Sequence, residues 1–249
     1  MFMKKTILIL LFLISSLSGR SGGAFGDSIP SKFNKKLNYG ISFNSAWTNI
    51  LADKKPINIG GTEGEYKYKP SLGGTLLIEY YFMNLIGVGI GFGHQQRGAT
   101  LTNTDNVKAP YVNGAYLYGE KDSTNRQKLR FYCWEIPLYL NFHTPKIINN
   151  VRVSGKLGGI LSFNTKTQMI FHSIEDGFHE ITFPNANYYK NEILYFGSIG
   201  ADINAGDNAI FQIHLFKQYG TKNIYNNASL FNNAEGFNRA WGISLGFLY

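Results

Sequence analysis

Apolar and polar residues alternate with period 2 through most of the chain. Leu37, Tyr39, Ile41, Phe43 and Trp47 alternate with Asn38, Gly40, Ser42, Asn44 and Ala46. From Ile86 to Gly93 the glycines Gly87, Gly89, Gly91 and Gly93 alternate with Ile86, Val88, Ile90 and Phe92. This is a strand pattern, because successive side chains point to opposite faces of a sheet. A helix would scatter the glycines around its circumference and lose stability at each. The same reading predicts strands at Leu72–Phe82, Tyr132–Phe142, Val151–Phe163, Ile193–Ile203, Phe211–Tyr219 and Trp241–Tyr249, eight in all. Most span about nine to thirteen residues, enough to cross a bilayer when tilted, whereas strands of soluble proteins run nearer five or six.

The connections between these strands alternate short and long, at roughly 23, 2, 29, 7, 25, 4 and 18 residues. That is the rhythm of an up-and-down barrel in an outer membrane, with short periplasmic turns and long outer loops. A soluble antiparallel barrel would also show period 2, but it has no reason to alternate its loops and would turn its apolar face inward. The apolar faces are graded by depth. Tyr39, Tyr80, Phe82, Phe142, Phe211, Phe247 and Tyr249 collect at the predicted lower border. Trp47, Phe92, Tyr132, Trp134, Phe163, Tyr195, Tyr219 and Trp241 collect at the upper one. Between them lie mainly Ile, Leu and Val, and two aromatic girdles around an aliphatic band are what interface-seeking rings produce. The expected fold is an all-β, eight-stranded antiparallel transmembrane barrel over residues 37–249, with both termini periplasmic.

Composition narrows the picture. Only 16% of the 249 residues are charged while 15% are aromatic, too few charges for an ordinary soluble surface. The single cysteine, Cys133, excludes an intramolecular disulfide framework and a cysteine-rich zinc site. Residues 1–26 read as an export signal: Lys4 and Lys5, then the apolar run Ile7–Ile14, then small residues, with residues 27–36 as a short periplasmic segment. Lys4, Lys5 and Arg20 leave with the signal, so 21 of 24 basic residues remain against 16 acidic ones, net +5. Those charges are scattered singly, which argues against a nucleic-acid surface.

Several segments carry a family resemblance: Leu85–Gly93 (LIGVGIGFG), Trp134–Leu140 (WEIPLYL), Ile193–Gly200 (ILYFGSIG) and Gln218–Ile224 (QYGTKNI). Together they resemble the PorT-type small outer-membrane barrels. The terminal Ile243–Tyr249 (ISLGFLY) resembles the aromatic signal read by the outer-membrane assembly machinery. The resemblance implies the outer membrane as location and protein secretion as one role within the family. Pro137 within the WEIPLYL strand requires a place where a ladder hydrogen bond is missing.

Candidate chemistry is thin. His172 and Ser173, with Glu175, Asp176 or Glu180 as orienting acid, are the only residues that suggest a lipid-modifying nucleophile and base. Neighbours on an extended chain point apart, and these lie in a predicted outer loop. His94 and His143 read as interfacial residues and His214 as a lone lumen histidine. No spacing calls for a metal, a cofactor or a catalytic carboxylate pair.

The inward face says more. Glu79, Glu135, Arg152, Lys156 and Asp202 face a lumen that eight strands leave just wide enough for side chains, shared with Tyr81, Phe131, Tyr139, Phe196 and Phe216. Charges confined there must pair, and strand heights predict Arg152–Asp202 and Lys156–Glu135, with Glu79 beside one of the cations. The lipid-interface aromatics to watch are Trp47, Trp134, Trp241 and Tyr249. The expected function is non-enzymatic: a structural, binding or secretion-assembly barrel acting through its outer loops or periplasmic rim. A lipid-modifying enzyme and a narrow channel are the alternatives. The expected partners are outer-membrane lipid, lipopolysaccharide included, contacted by cations such as Lys217, and the assembly machinery, engaged by the last strand.

Overall fold

A computed structural model describes residues 37–52, 57–59, 62–83, 85–103, 111–112, 115–116, 126–144, 150–173, 177–183, 189–205, 209–224 and 235–249. The predicted signal peptide and the segment 27–36 lie outside the described residues. The eight barrel strands are β1 (Leu37–Ala52), β2 (Lys69–Met83), β3 (Ile86–Asn103), β4 (Arg126–His143), β5 (Val151–Ser173), β6 (Asn191–Asn204), β7 (Ile210–Gly220) and β8 (Gly236–Leu248). Each pairs antiparallel with the next, and β8 pairs with β1 in a continuous ladder from Gly40↔Leu248 to Ala52↔Gly236. The barrel is closed. Beyond the ladder, Tyr39 and Tyr249 exchange backbone hydrogen bonds of 3.1 and 2.6 Å, and their rings lie 5.8 Å apart. Closure leaves no edge whose unpaired N–H and C=O groups would face hydrocarbon.

Parity follows the alternation. Leu37, Tyr39, Ile41 and Phe43 are exposed on the outer wall, while Asn38 and Ser42 are buried in the lumen. The outer girdle has its own packing: Trp47 stacks on Trp241 at 4.6 Å and Phe92 on Trp134 at 5.1 Å. Pro137 sits where the β3–β4 ladder is interrupted, the pairs stopping at Ile90↔Leu138 and resuming at Gly93↔Glu135. Its missing N–H therefore costs β3 no partner.

Strand length departs from the expectation. The connections 84–85, 144–150 and 205–209 are short as predicted, but β3, β4 and β5 run well past the girdle, to Asn103, from Arg126 and to Ser173. Above the bilayer they form a sheet, extended by Thr62–Lys67 pairing on β3, Ile57–Ile59 pairing on Thr62–Gly64, and Gly177–Phe183 pairing on β5. Once a strand leaves the lipid, one wall no longer has to be apolar. The alternation then fades from the sequence while the ladder continues. Gly98 marks this exit: its φ of 126° is open to glycine at little cost, and a Cβ there would overlap the Leu129 carbonyl oxygen.

Candidate functional site

The lumen is where the buried charges meet. Glu79 of β2 is fully buried and accepts four hydrogen bonds. Lys156 Nζ at 2.7 Å and the Tyr139 hydroxyl at 2.8 Å reach Oε1. The Tyr81 hydroxyl at 2.5 Å and Asn141 Nδ2 at 3.0 Å reach Oε2. Lys156 also donates to Gln212 Oε1 at 2.9 Å and lies 5.1 Å from the Tyr139 ring centroid. The glycine alternation of β3 acquires a cause here. A Cβ on Gly87 would strike the Tyr81 ring, and one on Gly89 the Tyr139 ring. The glycines leave room for the two tyrosines that hold Glu79.

Nearer the periplasmic end, Asp202 gathers a second group. Arg152 donates to its Oδ2 through Nε at 3.2 Å and Nη2 at 3.1 Å. The Ser154 hydroxyl donates to Oδ1 at 2.7 Å and Gln212 Nε2 to the same oxygen at 3.3 Å. His214 Nε2 lies 3.3 Å from Oδ1 and His143 Nδ1 lies 3.3 Å from Oδ2. The remaining ring nitrogen of His214 is 3.1 Å from the Ser198 hydroxyl. With a proton on Nε2, the His214 ring donates toward Asp202 and Ser154 and meets the Ser198 hydroxyl at Nδ1. Toward the outer end, Arg97 of β3 spans the lumen. It donates from Nε to Glu135 Oε1 and from Nη2 to Gln218 Oε1, both at 2.7 Å.

Of the two predicted pairs, Arg152–Asp202 is present and Lys156–Glu135 is replaced. Lys156 binds Glu79 and Glu135 binds Arg97. Barrel shear is the reason. Glu135 lies opposite Ser162, whereas Lys156 lies opposite Asn141, six residues away along the strands. The anticipated place of Glu79 beside a cation holds. Two histidines are corrected. His143 is not an interfacial turn residue, because it ends β4 buried against Asp202 and 4.9 Å from the Tyr81 ring. His214 is not alone, being held between two serines and Asp202. Arg97 was missed because the apolar wall pattern stops near Phe92, yet the inward parity continues through Gly93, Gln95 and Arg97 and could have shown it. His172 and Ser173 lie at the tip of β5, opposite Phe178 and Gly177. Glu175 and Asp176, two of the three candidate orienting acids, lie outside the described residues.

Chemically, the lumen is a polar core. Between the Arg97–Glu135 and Glu79–Lys156 tiers lies a cavity of about 50 Å³, lined by Glu135, Lys156, Ser198, Gln212, His214 and Gln218 among others. That is room for a handful of waters and not for a solute or a lipid ester. Ser198, His214 and Asp202 form a hydroxyl–imidazole–carboxylate chain, but the carboxylate is already engaged by Arg152 and Ser154. Among the described residues no group of three or more His, Cys, Asp or Glu is placed to hold a metal ion.

Comparison with solved structures finds other outer-membrane barrels. Ail, the attachment invasion locus protein of Yersinia pestis, is 16% identical, covering 86% of this chain and 100% of its own, with a TM-score of 0.39. OprG from Pseudomonas aeruginosa is 13% identical over 86% of this chain and 96% of its own, TM-score 0.45. The outer membrane protease OmpT from Escherichia coli is 14% identical over 86% and 96%, TM-score 0.41. A search of curated proteins found no match. The family described as the outer membrane protein beta-barrel domain matches residues 25–233, most of the chain. With its closed eight-stranded barrel and its match over that length, this chain belongs to the outer membrane protein beta-barrel domain family.

Proposed function

We propose that the protein is a non-conducting, non-enzymatic scaffold barrel, exported by cleavage of a signal within residues 1–26, which works through its outer face. The observation that carries this reading is the lumen: Arg97–Glu135, Glu79–Lys156 and Arg152–Asp202 lie at successive depths, each bridged by further hydrogen bonds. Buried charges of this kind are retained at a desolvation cost and are hard to open without leaving a charge unpaired. The barrel thus has an interior for holding its shape and, in the sheet built on β3, β4 and β5, an exterior that rises above the bilayer. A PorT-type secretion-assembly role would be exercised from that sheet or from the periplasmic rim, not through the pore.

Proteoliposome swelling tests the reading. Vesicles carrying the wild-type barrel are expected to swell no faster in a pentose than empty vesicles. Swelling at a rate comparable with a general porin at equal protein load would overturn it.

A further inference from the structure

The outer wall formed by β7, β8 and β1 carries a cluster that the lumen does not use. Lys217 on β7 and Arg239 on β8 share the outward parity of the exposed Tyr219 and Trp241, while Asn238 and Ala240 are buried. Lys217 lies opposite Trp241, which lies opposite Trp47, and Tyr219 lies opposite Arg239. The two cations are therefore diagonal neighbours on one face, close enough for long side chains to reach a common group. Each rests on a ring: Lys217 Nζ is 5.0 Å from the Tyr219 centroid, and Arg239 Cζ is 5.1 Å from that of Tyr68. Tyr68 in turn meets Trp241 edge-on at 6.4 Å. Among the described residues neither cation has a carboxylate within ion-pair distance, and Arg239 Nε is buried without a hydrogen-bond partner.

Trp47 and Trp241 mark the outer border of the apolar band, so these cations stand at the level where lipid phosphates lie. Beside Lys217 the wall is open. Its β6 neighbour is Gly197, where an added Cβ would meet no atom within 4 Å, between the exposed Tyr195 and Ile199. A cationic rim thus stands over a shallow apolar recess. A phosphate monoester carries close to two negative charges and matches two cations better than the single charge of a phosphodiester does.

We infer that this patch binds a phosphorylated glycolipid of the outer leaflet, of the lipopolysaccharide class. Lys217 and Arg239 hold one phosphate, and an acyl chain lies against Gly197. The inference is independent of whether the lumen is sealed.

The test is affinity measured by native mass spectrometry on the full barrel in detergent, with diphosphorylated lipid A, its dephosphorylated form and inorganic phosphate as probes. The wild type is expected to prefer the diphosphorylated lipid by about tenfold. The Lys217→Ala/Arg239→Ala protein, checked as folded by heat-modifiable migration, is expected to lose that preference. Lys217→Gln alone is expected to lose part of it and serves if the double variant does not refold. Gly197→Leu is expected to weaken both lipids alike and leave the preference intact. Equal binding of the two lipids by the wild type, or an undiminished preference in the cation variants, would overturn the site. Inorganic phosphate binding as tightly as the lipid would mean a free-anion site instead, and unchanged lipid affinity in Gly197→Leu would remove the acyl chain from it.

Discussion

Deletion of Phe247–Tyr249 is expected to abolish membrane assembly, not to weaken it by degrees. Phe247 and Leu248 pair on both sides, with Ile41 and Gly40 of β1 and with Phe211 and Ile210 of β7. Tyr249 adds the two backbone hydrogen bonds to Tyr39 beyond the ladder. Without these residues the first strand keeps unpaired N–H and C=O groups in the bilayer, at several kcal/mol for each. No partial barrel avoids that cost, because every strand is needed to remove the edges. Expressed in cells, the truncated chain should give no heat-modifiable species in the outer-membrane fraction. A normal amount of heat-modifiable protein there would show that closure does not depend on this seam.

Glu79→Leu is expected to be the most damaging single substitution inside the lumen. It removes the acceptor for Lys156, Tyr139, Tyr81 and Asn141 together, and leaves the buried Lys156 ammonium with Gln212 as its remaining hydrogen-bond partner. Removing one partner of a buried pair costs about 3–5 kcal/mol, whereas replacing both by apolar groups of similar volume is often nearly neutral. Thermal unfolding in detergent should therefore show a large loss for Glu79→Leu and substantial recovery in Glu79→Leu/Lys156→Met. If the double variant melts no higher than the single, the cost lies in the lost tyrosine packing and not in the stranded charge.

What the sequence discloses about this molecule follows from which constraints act along one strand and which act between strands. The side of the sheet on which each residue falls is a one-strand property, set by period 2 against lipid. Asn38, Glu79, Arg152 and Asp202 accordingly face the lumen as read. Height is an inter-strand property. The stagger of neighbouring strands decides that Lys156 meets Glu79 and not Glu135, and no single strand's pattern contains that stagger. The ends of β3, β4 and β5 were illegible for a third reason. Above the girdle hydrocarbon no longer enforces an apolar wall, so Arg97 is legible only by carrying the inward parity of Gly93 and Gln95 on past Phe92. At the periplasmic end His143 continues the inward parity of Asn141 to the last residue of β4, where its ring lies beside Asp202.

Single-channel recording in planar bilayers tests the sealed lumen most directly, because ions pass where sugars cannot. Arg97–Glu135 is the outermost of the three tiers, and Arg97 joins Glu135 of β4 to Gln218 of β7 across the lumen. The wild-type barrel is predicted to give no resolved current steps, and Arg97→Ala/Glu135→Ala to give small, brief ones as water enters the outer half. Stable steps from the wild type, equal in size to those of the double variant, would contradict the account.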